Sequence, residues 1–150
     1  MNFFEELQSV IVALESSGTE YAICGGVALA IHGAPRATQD IDLLLRPENI
    51  DALRTVARSC GFHLESFPME FASGLTIQRF TKLIGSVPLM LDVLFVAGAL
   101  EKIWADRQIV PFEDGNVCVV SREGLIALKL AAGRPQDVAD IKRLEELSRD

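Results

Sequence analysis

The chain has 150 residues, 49% of them apolar and 23% charged, which gives room for one domain with a sizeable core and is the make-up of a soluble globular protein. Its net charge of −7 argues against indiscriminate attachment to nucleic acid, which depends on neutralising phosphates, while leaving room for one RNA docked at a local basic patch. No apolar run is long enough to cross a bilayer and no secretory pattern opens the sequence, so no membrane role and a cytoplasmic location are expected.

In chain order, Phe3, Phe4, Leu7, Val10, Ile11 and Leu14 recur at helical spacing, which predicts an amphipathic helix over 2–16 that stops near Gly18. Residues 20–24 read as a strand, Val27 to His32 as a short helix, and Ala34 to Gln39 as a loop. A second strand covers about 41–45, and Pro47 opens a helix carrying Ile50, Leu53, Val56 and Ala57 as far as Gly61. Strands are expected at 62–67, 75–83 and, after Pro88, over Leu89 to Phe95. A helix from Ala97 to Arg107, a short strand over Val117 to Val120, a helix capped by Ser121 through about Ala132, and a last helix at 136–148 complete the reading. Cys24, Cys60 and Cys118 are far apart, lack metal-ligand spacing, and read as reduced structural residues. His32 reads as structural, and Trp104 as a core or interface residue.

One stretch carries chemistry. Gly25-Gly26 follows the apolar run Tyr21-Ala22-Ile23-Cys24 and precedes Asp40-Ile41-Asp42. Side chains alternate along a strand, so Asp40 and Asp42 share a face, with Cα atoms about 6.6 Å apart. Two carboxylates at that separation can converge on small hard cations such as Mg²⁺, which is commonly held by one or two carboxylates plus substrate phosphates. The alternative is a turn residue followed by a solvent-facing carboxylate. Against it, Asp42 sits inside Ile41-Asp42-Leu43-Leu44-Leu45, a mostly buried strand where an unpaired charge is costly. Glycines at a strand-to-helix junction let backbone approach a ligand closely, or simply make a tight turn. Asp92, alone among the residues between Gly85 and Gly98 in carrying charge, either pairs with an arginine or faces solvent, or else joins Asp40 and Asp42. In that cluster it would ligate a metal or accept the proton of an attacking hydroxyl.

A glycine pair, an Asp-x-Asp about a dozen residues on, and a third acid on a later strand resemble the nucleotidyltransferase superfamily that includes DNA polymerase β and the minimal nucleotidyltransferases. The stretch from Lys129 through Arg134 and Asp137 to Asp140-Ile141 is similar to the Lys…Arg…Asp-x-x-Asp-Ile segment of the AbiEii-like branch, the toxins of toxin–antitoxin and phage-defence systems. The resemblance implies an α/β fold, a small mixed sheet flanked by helices, as a single domain over 1–150 with its core at about 18–121 and C-terminal helices at about 121–148. It implies transfer of a nucleoside monophosphate from a nucleoside triphosphate to a hydroxyl of a tRNA, a protein or a small molecule, with Mg²⁺ or Mn²⁺. Asp40, Asp42 and Asp92 would be the catalytic and metal-binding residues, and Gly25, Gly26, Arg36, Thr38, Lys129 and Arg134 the nucleotide-binding ones. Arg79 and Lys82 are weaker candidates. Asp137 and Asp140 share one helix face, turned either to the site or to solvent. An antitoxin or a helical protein completing the site would be the partner. The competing reading is a catalytically weak nucleotide- or partner-binding module of the same fold.

Overall fold

A computed structural model describes residues 1–147. Helix α1 (Phe3–Ser17) starts at Asn2, whose side-chain oxygen accepts from the Glu5 amide, and ends at Gly18 in the left-handed conformation. Strand β1 (Ala22–Cys24) runs into α2 (Gly25–Ile31), and β2 (Asp40–Leu45) follows a loop. A 3₁₀ turn at Pro47–Asn49 leads into α3 (Ile50–Ser59). Then come β3 (Leu64–Glu65), β4 (Met69–Glu70), β5 (Thr76–Ile84), β6 (Val87–Phe95) and α4 (Leu100–Ala105). A hairpin of β7 (Gln108–Phe112) and β8 (Gly115–Val119) precedes α5 (Arg122–Ala132) and α6 (Pro135–Leu147).

The strands form one mixed sheet in the order β3-β5-β6-β2-β1-β8-β7, with β4 also paired to β5. The fold class is the expected one. At its centre β2 lies parallel to β6 and antiparallel to β1, so the most apolar runs of the chain occupy the least exposed strands. Ile41, Leu43, Leu44, Leu45, Leu89, Leu91 and Val93 are fully buried there. On β5, Gln78 and Phe80 are buried while Arg79 between them is exposed, the period-2 alternation that was weakly marked in the sequence.

Two differences from the sequence reading have physical causes. The strand expected over 62–67 shortens to the two-residue β3, and a further two-residue strand, β4, follows Phe67-Pro68; both are exposed. Proline cannot donate to a ladder, so pairing restarts beyond it. Strand β7 was not foreseen. It begins directly after the helix expected to reach Arg107, which stops at Ala105, and Pro111 masks it, as proline does on edge strands. Residue 148, the expected end of the last helix, lies outside the described residues.

Candidate active site

The register of the central strands assembles the site. Asp42 on β2 is the direct neighbour of Asp92 on β6, and both belong to the same sheet face. Asp40 lies two residues before Asp42, on that face too. Asp42 also faces Cys24 across the β1–β2 pair, where β1 gives way to α2. Gly25 opens α2 with φ +64°, and a Cβ built there would stand 2.8 Å from Asp42 Cγ. Gly26 is tight for a different reason, since a Cβ on it would lie 2.7 Å from Thr38 Oγ1. The glycine pair therefore lets the acid strand and the loop before it close onto α2.

A cleft of about 680 Å³ opens over this face, within the range of small-molecule sites. Its floor includes Gly25, Asp42, Asp92 and Arg79. One side is apolar, with Met69, Phe71, Leu75 and Ile77 from the 66–77 segment; the other carries Leu128 and Lys129 of α5 with Arg134 and Asp137 at the start of α6. The apolar side was not foreseen, although Phe67-Pro68-Met69-Glu70-Phe71 is an apolar-rich stretch, and it is itself exposed. Gly26, Arg36, Thr38 and Asp40 do not line the cleft.

The strand acids are not neutralised equally. Burial pushes the Asp42 carboxyl up to about 7, the Asp92 and Asp40 charges push the same way, and Arg134 and Lys129 offset them only in part. Asp92 is gripped by Arg79, its direct partner across β5–β6. Nε donates to Oδ1 at 2.8 Å and Nη2 donates to Oδ2 at 3.0 Å. The sequence had left open whether this acid pairs with an arginine or joins the aspartates of β2; it is adjacent to them and paired with an arginine as well.

The expected phosphate contacts mostly hold acids of α6. Asp137 and Asp140 turn inward and are essentially fully buried. Asp140 accepts from Lys129 Nζ at 2.8 Å, from Arg36 Nε at 3.1 Å and Nη2 at 3.1 Å, and from Gln136 at 2.9 Å. Arg134 donates through Nε to Asp137 at 2.7 Å, and Lys129 lies 3.8 Å from the same carboxylate. Arg36 thus reaches across the fold to α6 instead of into the cleft, because a fully buried acid offers it a drier and stronger partner. Lys129 and Arg134 still line the cleft while making these bonds. Thr38 packs on Gly26, with its hydroxyl 3.5 Å from the Asp40 carbonyl. Among the other singled-out residues, His32 donates from Nε2 to the Val120 carbonyl at 2.8 Å, and Trp104 is buried under the Arg107 guanidinium at 4.0 Å. Lys82 pairs with Glu6 on α1. All three cysteines are free thiols.

The all-oxygen donor set suits a hard divalent cation. Asp40 and Asp42 fit one: they share a face, no basic side chain is hydrogen-bonded to them among the described residues, and burial first, then the neighbouring acid charges, raises the Asp42 carboxyl, a cost that a bound cation would offset. Asp92 does not fit in its present pairing. Among the described residues no group of three or more acidic, histidine or cysteine side chains is arranged to hold a metal.

Residues 10–150 match the family model described as nucleotidyl transferase AbiEii toxin, type IV TA system. The chain belongs to the AbiEii nucleotidyltransferase family. Its members are toxins of toxin–antitoxin systems, and the AbiEii chain is accordingly a transferase of nucleotidyl groups. No curated protein sequence matches it. Among solved structures it is similar to a putative nucleotidyltransferase from Thermotoga maritima, with a TM-score of 0.68, 14% identity, and coverage of 99% of this chain and 94% of that one. It is also similar to the antibiotic-resistance factor ANT(2'')-Ia in solution, with a TM-score of 0.64, 17% identity, and coverage of 93% and 80%. The crystal structure of ANT(2'')-Ia with adenylyl-2''-tobramycin gives 0.62 at 18% identity, covering 92% and 84%. At such identities these likenesses establish the shared fold. No helix among the described residues is long and apolar enough to cross a membrane.

Proposed function

We propose that this AbiEii-family chain transfers a nucleoside monophosphate from a nucleoside triphosphate to a hydroxyl acceptor, with Mg²⁺ or Mn²⁺ held by Asp40 and Asp42. The observation that carries this reading is Asp42: in register beside Asp92, pressed against Gly25, and with its carboxyl pushed up to about 7 by burial and neighbouring acids. A divalent ion there would supply charge neutralisation at the phosphates. In the reaction an acceptor oxygen attacks the α-phosphorus, the bond to the bridging oxygen of pyrophosphate breaks, and the hydroxyl proton passes to a carboxylate. Asp92 serves that acceptor side. Lys129 and Arg134, on the opposite wall, meet the triphosphate. Gly25 sets how closely the acid strand approaches the α2 backbone. The chain's own contribution is positioning and electrostatic complementarity, the effects that dominate phosphoryl transfer.

The acceptor is a hydroxyl of an RNA, a protein or a small molecule, the site of action is the cytoplasm, and the partner is the cognate antitoxin of a type IV system. Incubating the protein with labelled nucleoside triphosphates, Mg²⁺ and cell extract tests this directly. Label is expected in one fraction with wild type, and at least about 100-fold less of it with Asp42→Asn; equal labelling by both would refute the assignment. One observation favours a second reading, a module that holds nucleotide without turning it over: Arg79 occupies both oxygens of Asp92. Nucleotide binding by calorimetry with no labelled product from any fraction would select it.

A further inference from the structure

Arg79 is half-exposed and Asp92 nearly buried, with side-chain exposures of 52% and 12%. Strand register fixes both backbones opposite one another, so the pairing is built into the sheet and not into a loop. The fork uses both carboxylate oxygens, the strongest form of arginine–carboxylate contact. The charges of Asp40 and Asp42 also act on this guanidinium. The other cations lining the cleft are committed elsewhere, Lys129 to Asp140 and Asp137, and Arg134 to Asp137. Among the described residues, no other basic side chain hydrogen-bonds to Asp40, Asp42 or Asp92. The cluster therefore holds one resident cation, on a side chain with solvent on one flank and the cleft on the other.

We infer that Arg79 is the resident counter-ion of the strand acids, which a divalent cation must displace from Asp92, and that the displaced guanidinium is taken up by the phosphates of the nucleotide. This rests on the metal-dependent reading above. The two exchanges support each other. A free carboxylate attracts the cation, and a free guanidinium attracts the polyphosphate, so metal and nucleotide bind with positive coupling. Without nucleotide, Asp92 is closed to the metal and only Asp40 and Asp42 are open. Arg79 thereby acts as a positioning residue that keeps the site in its metal-poor state until a nucleotide is present.

Titration of the full chain with Mn²⁺, followed by electron paramagnetic resonance, tests this without reference to turnover. Without nucleotide, Arg79→Gln is expected to bind Mn²⁺ at least about tenfold more tightly than wild type, the change that ~1.4 kcal/mol produces. The gain should vanish in Arg79→Gln combined with Asp92→Asn. A non-hydrolysable triphosphate should tighten Mn²⁺ binding to wild type more than to Arg79→Gln. Arg79→Lys retains the charge without the fork, so its affinity should fall between the two and keeps the test open if the glutamine variant folds poorly. Measurable Mn²⁺ binding that is equal in wild type and both Arg79 variants would overturn the role of Arg79 and leave the metal-dependent transferase standing. No Mn²⁺ binding by any form, with or without the triphosphate, would overturn both.

Discussion

The cleft is bordered by two groups of aspartates that the fold treats in opposite ways. On α6, Asp137 and Asp140 are the more buried, yet both carboxyls are held below the usual range. Burial works to raise Asp140, and the bonds from Arg36, Lys129 and Gln136 more than offset it, holding it down at about 2. Burial likewise opposes the hydrogen bonds and charges of Arg134 and Lys129 at Asp137, and the latter win. On β2, Asp42 meets no such compensation and is pushed up to about 7. A buried acid that is fully bonded joins elements of the fold; an undercompensated acid at the base of a cleft is what the proposed cation site calls for.

Removing the joint should cost the most. Asp140→Ala strands the Lys129 ammonium in a buried site, and a loss of about 3–5 kcal/mol in urea unfolding is expected from breaking such a pair. A loss below ~1 kcal/mol would mean that water already compensates Lys129. Next comes Asp42→Asn, which should lower nucleotidyl transfer by about 100- to 1000-fold, the range for deleting one electrostatic contact to a developing charge, while urea unfolding without metal stays at or above the wild-type value. A substantial loss of stability instead would place Asp42 among the structural joints. Gly25→Ala forces a side chain into positive φ and against Asp42, for which a cost of about 1–3 kcal/mol is expected, together with weaker Mn²⁺ binding.

The smallest effect separates the two groups by pH. Folded Asp42 keeps its proton up to about 7, whereas the unfolded chain gives it up near pH ~4. Metal-free stability attributable to Asp42 therefore falls as pH rises from about 4 to 7. Asp140 has the opposite sign: its stabilisation is present above the unfolded value and is lost as pH falls towards about 2. Because the cleft is open to solvent, the Asp42 contribution should appear as a melting-temperature drop of about 2–4 °C, what ~1 kcal/mol produces in a chain of this size. It should be absent in Asp42→Asn and reversed by Mg²⁺ at pH 8. A wild-type profile that rises across that interval would contradict the assignment.

Much of this site could be read before folding, because strand alternation inside an apolar run announces a carboxylate that must be paid attention to by some cation. That is how Asp40, Asp42 and Asp92 stood out, and their adjacency follows from two such runs pairing at the sheet centre. The glycine pair was legible as a close approach, but not what approaches: Asp42 and Thr38 occupy the space. Arg36 was assigned to phosphate because it precedes Asp40 in sequence, whereas its partner lies 104 residues away and depends on how α6 docks. Arg79 could not be ranked without the register of β5 against β6. The hairpin β7–β8 turns at Glu113-Asp114, with Gly115 already in β8 opposite Phe112, and Pro111 and the helix-like stretch before it hid the first strand.

The sheet order also bears on how a second protein can engage the fold. One margin is β7, where Pro111 leaves a gap in the row of amide donors. The other is formed by β3 and β4, two residues each. Neither margin offers a long uninterrupted backbone template, so an incoming chain gains little by adding a strand. A second protein engaging this fold would therefore rely on side chains and helix faces more than on shared strand hydrogen bonds.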